Sequence, residues 1–480
     1  MSYSDVDINE IIRKTVEGIL AKNRELTGSS AAPAAQAPAA RPGEWLFEDA
    51  DDAVAAAVQS QKELMGMTLE KRGQIIEAMR EASRKNAEYL AKLAHEETGY
   101  GQTEHKVLKN LLAANKTPGI EDLQTDAFSG DNGLTIVEAA PFGVVGSITP
   151  STNPTSTVIN NSISMIAAGN AVVFNPHPSA KRCSQETMRI LNEAIKSVGG
   201  PATLITTIKE PSLESGKVIM EHKDIPILSI TGGEAVVKVA MKMGKKVVAA
   251  GPGNPPVIVD DTAILKEAAK NIVDGASFDN NVLCLAEKEV FAFDSIAEQL
   301  MREMEKNGAF RVSGADIDKI VSRVLNYKDG KHVANRKYVG KDAAVILQDS
   351  GVSFTGNPRL VIAEVPKDHP FVMTEMLMPV LGVARVQDID EAVREAIRAE
   401  QGCQHSAMIH STNIKNMSKA AREMNTTIFV KNAPSYSGLG FEGEGYATLT
   451  IATPTGEGLT SAQTFTRKRR CVLKGDFRII

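Results

Sequence analysis

Four cysteines stand at positions 183, 284, 403 and 471. No two form a C-x-x-C pair, so neither a zinc site nor a redox dithiol is expected. Four are also too few to staple a chain of 480 residues. Cys183, Cys403 and Cys471 read as inert thiols, with Cys403, in EQGCQH, the first exception to look for. Cys284 stands apart. It lies in residues 277–288, SFDNNVLCLAEK, among two asparagines and an aspartate. A free cysteine is ordinarily a small core hydrophobe. A polar, accessible surround would instead make it a nucleophile.

Three further segments have the composition of binding turns. TPSTNP, 149–154, follows an apolar run and marks the carboxyl end of a strand, where open α/β sheets bind ligands. Asn153 could offer its amide N–H to a developing oxyanion. Equally, Thr152 or Asn153 could cap the next helix. SITGGEAV, 229–236, runs from strand through bare glycines into a helix, where a phosphate can approach backbone N–H groups. It also fits an ordinary βα turn. AAGPGNPP, 249–256, reads as a sharp loop or domain boundary. His177, His405 and His410 could relay protons, but a lone histidine is more often structural.

These segments need a scaffold. From residue 44 onward, short β-rich runs alternate with helical patterns. Strands are expected at 143–149, 171–175, 202–208, 226–231, 246–249 and 257–260, with helices near 155–168, 184–198 and 234–243. A second series predicts strands at 289–293, 344–347, 360–364, 380–386, 407–410 and 427–430, with helices at 262–275, 295–306, 389–398 and 413–424. Such alternation implies doubly wound parallel sheets, here in two α/β domains. The tail from residue 447 is β-prone and must pair with something, another subunit being one choice.

Lys plus Arg number 54 and Asp plus Glu 59, a formal net charge of −5 that argues against a general nucleic-acid binder. No apolar run reaches the roughly 18–20 residues of a membrane span, and no secretory leader is evident. Residues 5–22 carry Ile8, Ile11, Ile12, Val16, Ile19 and Leu20 on one half of a helix. Residues 27–43 hold seven alanines and three prolines in seventeen positions, without apolar periodicity, and read as a linker. A tethered amphipathic helix has no core of its own. It must dock on the parent domain or on another protein.

Taken together and in this order, these segments resemble the aldehyde dehydrogenase superfamily over nearly all of residues 44–480. The resemblance implies that Cys284 is the nucleophile, within F-x-N-x-x-x-C through Phe278 and Asn280, and that Asn153 supplies the oxyanion hole. It places the cofactor on Thr149, Pro150, Ser151, Pro176, His177, Pro178, Thr231, Gly232, Gly233 and Gly251, with Glu375 in TEMLMPV on the nicotinamide ribose. GNAVVFNP, 169–176, matches the adenosine turn. No metal is implied. One departure is informative. Hydrolytic members carry E-L-G-G-K-x-P, whose Glu activates water, whereas this chain reads AAGPGNP with Ala249 at that position. Asn175 likewise replaces the usual Lys.

Both departures resemble the CoA-acylating branch, and NPHPSA, GEGY and the 454–473 segment resemble the acetaldehyde and propionaldehyde dehydrogenases of bacterial microcompartments. NAD and coenzyme A are then the expected cofactor and co-substrate, and a short-chain aldehyde the substrate. The layout becomes an encapsulation helix (1–24), a linker (25–43), a Rossmann-like cofactor domain (44–252, with 128–141 aiding oligomerisation), a catalytic domain (253–440) and a return segment with oligomerisation strands (441–480). Shell or cargo proteins would dock on residues 5–22, the enzyme would be a dimer or tetramer, and its place would be a microcompartment in the cytoplasm. A hydrolytic semialdehyde dehydrogenase is disfavoured by Ala249, and a non-catalytic scaffold by intact Cys284, Asn153 and Glu375.

Overall fold

A computed structural model describes residues 45–480. The expected N-terminal helix and linker lie outside the described residues. A six-stranded parallel sheet runs, edge to edge, through Leu46–Phe47, Ile205–Ile208, Ala171–Pro176, Val144–Thr149, Ile227–Thr231 and Lys246–Ala250. The chain builds outward from Val144–Thr149 on one side, then returns to Ile227–Thr231 on the other. That reversal opens a crevice at the carboxyl ends of these two central strands.

A seven-stranded parallel sheet holds Ala309–Val312, Leu360–Glu364, Val380–Val386, Glu289–Phe293, Pro256–Val259, Ser406–His410 and Ile428–Lys431. Both sheets are buried by helices on their faces, so their strands read as continuous apolar runs such as AVVF and PVIV. The expected strand at 344–347 is a helix, Ala343–Asp349. Ala343, Ile346, Leu347 and Ser350 are buried, the i, i+3, i+4, i+7 spacing of a helix face. A run of four apolar residues does not separate the two periods; the burial pattern does. Ala309–Val312 is a strand that the sequence reading lacked.

The segment between the linker and residue 120 forms four helices, Ala50–Met65, Leu69–Lys85, Ala87–Thr98 and Thr103–Lys116. Thr103–Lys116 packs against Pro154–Ala167, every residue of which is buried. Several polar groups of that second helix find partners inside: Asn160 Nδ2 donates to Thr117 Oγ1 at 2.8 Å, and Thr155 Oγ1 to Asn110 Oδ1 at 2.8 Å, whereas the buried hydroxyls of Thr157, Ser162 and Ser164 have none. The tail pairs within its own chain. Thr466–Lys474 lies antiparallel to Gly133–Pro141, itself paired with Asp126–Gly130, and leaves its outer edge open. Between 447 and 465 only two-residue strands occur, at Ile451–Ala452 and Gly458–Leu459.

Candidate active site

A cleft of about 470 Å³ lies between the two sheets. The first sheet presents its carboxyl ends. Thr149, Pro150, Ser151 and Asn153 follow Val144–Thr149; Pro176, His177 and Pro178 follow Ala171–Pro176; Thr231, Gly232 and Gly233 follow Ile227–Thr231; Gly251 follows Lys246–Ala250. The second sheet presents its amino ends. Cys284 precedes Glu289–Phe293, Gly253 precedes Pro256–Val259, Glu375 precedes Val380–Val386 and His405 precedes Ser406–His410, four neighbouring strands. Every site residue expected from the sequence lines this one cleft.

Cys284 is partly exposed and leaves the cleft through a pinned turn. Asp279, Asn280 and Asn281 have φ of 48°, 53° and 66°, a left-handed run of non-glycine residues. Such residues cost about 1–2 kcal/mol each unless local hydrogen bonds offset it. Here each side chain is bonded. Asp279 accepts from Gln102 N–H (2.7 Å), from Lys106 Nζ (3.0 Å) and from Lys109 Nζ. Asn280 Nδ2 donates to Gly340 O and Asp342 Oδ1, and Asn281 Nδ2 to Ala276 O and Glu287 O. Lys288, buried beneath, donates to Asn281 Oδ1 (2.5 Å) and Leu283 O (2.9 Å). A Cβ at Gly101 would collide with the Asp279 carboxylate, so the approach requires glycine there.

Burial, and then the Glu375 carboxylate, push the Cys284 thiol up to about 11, against the pull of Lys288. Burial likewise raises Glu375 and lowers Lys288 to about 8. Glu375 Oε1 accepts the Gly253 N–H at 3.3 Å. It is the one carboxylate among the described residues lining the cleft. Ala249 lies in the core with no exposure; Ala250, Gly251 and Pro252 line the cleft in its stead. The 249–255 crossing therefore offers no acid to the site. His405 is fully buried, with Nδ1 on Ser406 Oγ at 2.8 Å and Nε2 unpartnered. Burial holds it near 4 and therefore neutral at pH 7. Gly253 packs between it and the Cys284 main chain: a Cβ there would sit 2.8 Å from the imidazole and 3.0 Å from the Cys284 carbonyl.

The aldehyde dehydrogenase family model matches residues 21–445. The chain belongs to the aldehyde dehydrogenase family. It is 49% identical over 438 residues to the acetaldehyde dehydrogenase (acetylating) EutE of Salmonella typhimurium, covering 91% of this chain and 93% of that protein. The structure of a propionaldehyde dehydrogenase from the Clostridium phytofermentans fucose utilisation bacterial microcompartment matches with a TM-score of 0.89 and 46% identity, over 91% of this chain and all of that one. A Rhodopseudomonas palustris propionaldehyde dehydrogenase, solved with bound CoA and an acylated cysteine, matches with a TM-score of 0.88 and 46% identity, over 90% and 99%.

Within this aldehyde dehydrogenase fold the cleft fits a nucleotide. Thr149 Oγ1 is buried and unpartnered at the cleft wall, and open space lies where a Gly233 side chain would be. Arg336 and Tyr100 also line it, neither singled out by the sequence. Beside the cleft lies a cavity of about 10 Å³, walled by Leu112, Phe278, Leu283, Tyr436, Phe441 and Leu449, with Lys109 at its rim. Leu449 faces both spaces. Asn153 makes no capping bond to the helix it precedes, which removes the cap as its role. Lys109 was the residue sequence reasoning missed: its charge lies on a helix whose buried face contains three basic side chains, which no amphipathic pattern predicts. Of the other cysteines, Cys183 is buried, burial pushes Cys403 up to about 11, and Cys471 is exposed on the open-edged strand. Among the described residues no cluster of His, Cys, Asp or Glu could hold a metal, and no helix is long and apolar enough to cross a membrane.

Proposed function

We propose that this protein is a CoA-acylating aldehyde dehydrogenase that converts a short-chain aldehyde, acetaldehyde or propionaldehyde, to its acyl-CoA. The observation that carries this reading is the cleft in which Cys284 and Asn153 meet while the 249–255 crossing brings no carboxylate. Cys284 releases its thiol proton to water in the open cleft, attacks the aldehyde carbonyl as thiolate and forms a thiohemiacetal. Asn153 Nδ2 and the Cys284 backbone N–H stabilise the oxyanion. NAD bound in the cleft supplies the hydride acceptor, and coenzyme A the thiol that receives the acyl group. Collapse of the oxyanion leaves a thioester on Cys284. Turns 149–151, 176–178 and 231–233, with Gly251, hold the nucleotide, and Glu375 holds the nicotinamide ribose.

Water is a poor competitor in this site, because general-base activation contributes about 10²–10⁴-fold and no base from the crossing stands ready. Thioester exchange is nearly isoenergetic, so the oxidation is reversible. A small apolar space walled by Phe278, Leu283 and Leu449 adjoins the cleft at Leu449 and is where a short acyl chain would lie. The test is NADH formation from propionaldehyde with and without CoA. Rapid turnover is expected only with CoA, together with an acyl mass on Cys284 when CoA is withheld; rapid oxidation in water alone overturns the reading.

The two sheets support a cofactor domain ending near residue 252 and a catalytic domain to about 440. The open edge of Thr466–Lys474 supports a dimer or tetramer built on strands 128–141 and 466–474. Residues 5–22 would dock on shell or cargo proteins of a cytoplasmic microcompartment. Deleting residues 1–22 should leave activity intact and abolish co-purification with shells; unchanged co-purification removes that assignment.

A further inference from the structure

The Asn153 side chain is held from behind by a buried ammonium. Lys109 Nζ donates to Asn153 Oδ1 at 2.6 Å and to Asp279 Oδ2, in a surround where Lys109 is 4% and Asp279 0% exposed. A primary amide is nearly symmetric in shape but not in chemistry: one end accepts and the other donates. Left free, it can turn over. An ammonium has only donors, so it can face only Oδ1. Nδ2 then lies on the far side, where its contact is Thr152 Oγ1 at 3.3 Å. One of its two N–H bonds satisfies that contact, and the other remains for a substrate.

We propose that Lys109 is a positioning residue for the oxyanion chemistry: it fixes the Asn153 amide with Nδ2 towards the carbonyl carried by Cys284, and through Asp279 it ties that donor to the turn bearing the nucleophile. This inference rests on Asn153 being the oxyanion donor. Oxyanion-hole donors act only when pre-aligned, since a donor that must reorient during reaction loses much of its advantage. Asp279 supplies the alignment from the other side. It belongs to the left-handed turn before Cys284, so one carboxylate sets both the distance to Lys109 and the path of the nucleophile loop. Burial alone would drive Lys109 neutral; Asp279 opposes this and leaves it near 8, so that the pure-donor form prevails at pH 7.

Lys106 provides an internal comparison. It is 2% exposed and donates to the same Asp279 oxygen at 3.0 Å, yet has no bond to Asn153. A merely structural role would make the two lysines equivalent. The test is a set of full-length variants read by first-turnover NADH formation with propionaldehyde, by steady-state kcat and KM, and by Tm. Asn153→Ala should lower the first-turnover rate about 10²–10³-fold, the usual loss for one oxyanion donor. Lys109→Met should lower it at least about tenfold, mainly in kcat, and well beyond Lys106→Met at comparable loss of Tm. Lys109→Arg, still a pure donor, should recover most of the loss, whereas Lys109→Gln, which can also accept, should not.

The decisive comparison is the cycle. In the Asn153→Ala background, Lys109→Met should cost less than about threefold more, because there is no amide left to orient. Multiplying losses overturn the Lys109 assignment and leave the oxyanion role of Asn153 standing. Equal losses for Lys106→Met and Lys109→Met overturn it as well. A near-normal first turnover in Asn153→Ala instead overturns the oxyanion reading beneath it. Should Lys109→Met fail to fold, the contrast between the Arg and Gln variants decides the same question.

Discussion

The two sheets meet at one cleft with opposite ends, and they build their halves of it from different materials. The first sheet contributes carboxyl-end turns made of backbone, glycine, proline and small hydroxyl residues, such as 149–151 and 231–233. The second contributes amino-end loops that carry reactive side chains, and it anchors them with buried charge: Asp279 between Lys106 and Lys109, and Lys288 under residues 281–283. A nucleotide can be gripped by main chain at strand ends, because its phosphates accept whatever N–H groups the turn exposes. A nucleophile must be aimed. Aiming needs partners from elsewhere in the chain, and in a dry interior those partners are charged and expensive to remove.

That contrast can be broken from either side. The largest effect is expected at Cys284: Cys284→Ala should remove turnover by about 10⁴-fold or more with Tm unchanged, measured as NADH formation with aldehyde and CoA. Residual activity within tenfold of the parent would mean the aimed loop is not where the chemistry occurs. Next is Asp279→Asn, which strands two buried lysines and should destabilise the fold by about 3–5 kcal/mol in urea unfolding. Ser151→Ala, on the backbone-built side, should stay within about 0.5 kcal/mol. Equal costs for these two would erase the distinction between the halves.

Leu449 lines both the cleft and the small cavity, so the proposed acyl site can be probed there. Leu449→Ala should raise kcat/KM for butanal relative to propanal by about tenfold, the worth of one methylene in an apolar pocket. An unchanged ratio would place the acyl group elsewhere. A last effect concerns pH. Burial lowers His105, His405 and His410 to about 4, below the 6.5 of an exposed imidazole. Between those values the unfolded chain binds protons that the folded chain refuses. Stability should therefore be complete above pH 6.5 and decline towards pH 4, by up to about 1.4 kcal/mol per pH unit for each histidine. His410→Gln, on the side of the second sheet away from the cleft, should flatten the Tm profile by one such share; an unaltered slope would mean His410 does not titrate against burial.

Much of the first half of the cleft was legible because its signals are local. A strand, a Pro/Ser/Thr/Asn or Gly-Gly turn and a helix are contiguous, as in 143–168 and 226–243, and the alternation fixes parallel sheets. The helix at Ala343–Asp349 was misread because four apolar residues satisfy either period, and only packing against neighbours selected the helix. Lys109 was opaque for another reason. It bonds across more than forty residues of sequence, to Asn153 and to Asp279.

The order and identity of its turn residues settled the family and the two-sheet architecture and singled out Cys284 as the candidate nucleophile and Ala249 where hydrolytic members carry an acid, since those depend on which atoms occur and in what succession. That the second sheet meets the cleft with its amino ends, which way the Asn153 amide is turned, and how three left-handed residues stay in place before Cys284 were decided only by folding. Hydrogen bonds and ion pairs between distant segments have no period in the sequence, and they acquire direction only when burial leaves them no water to bond instead.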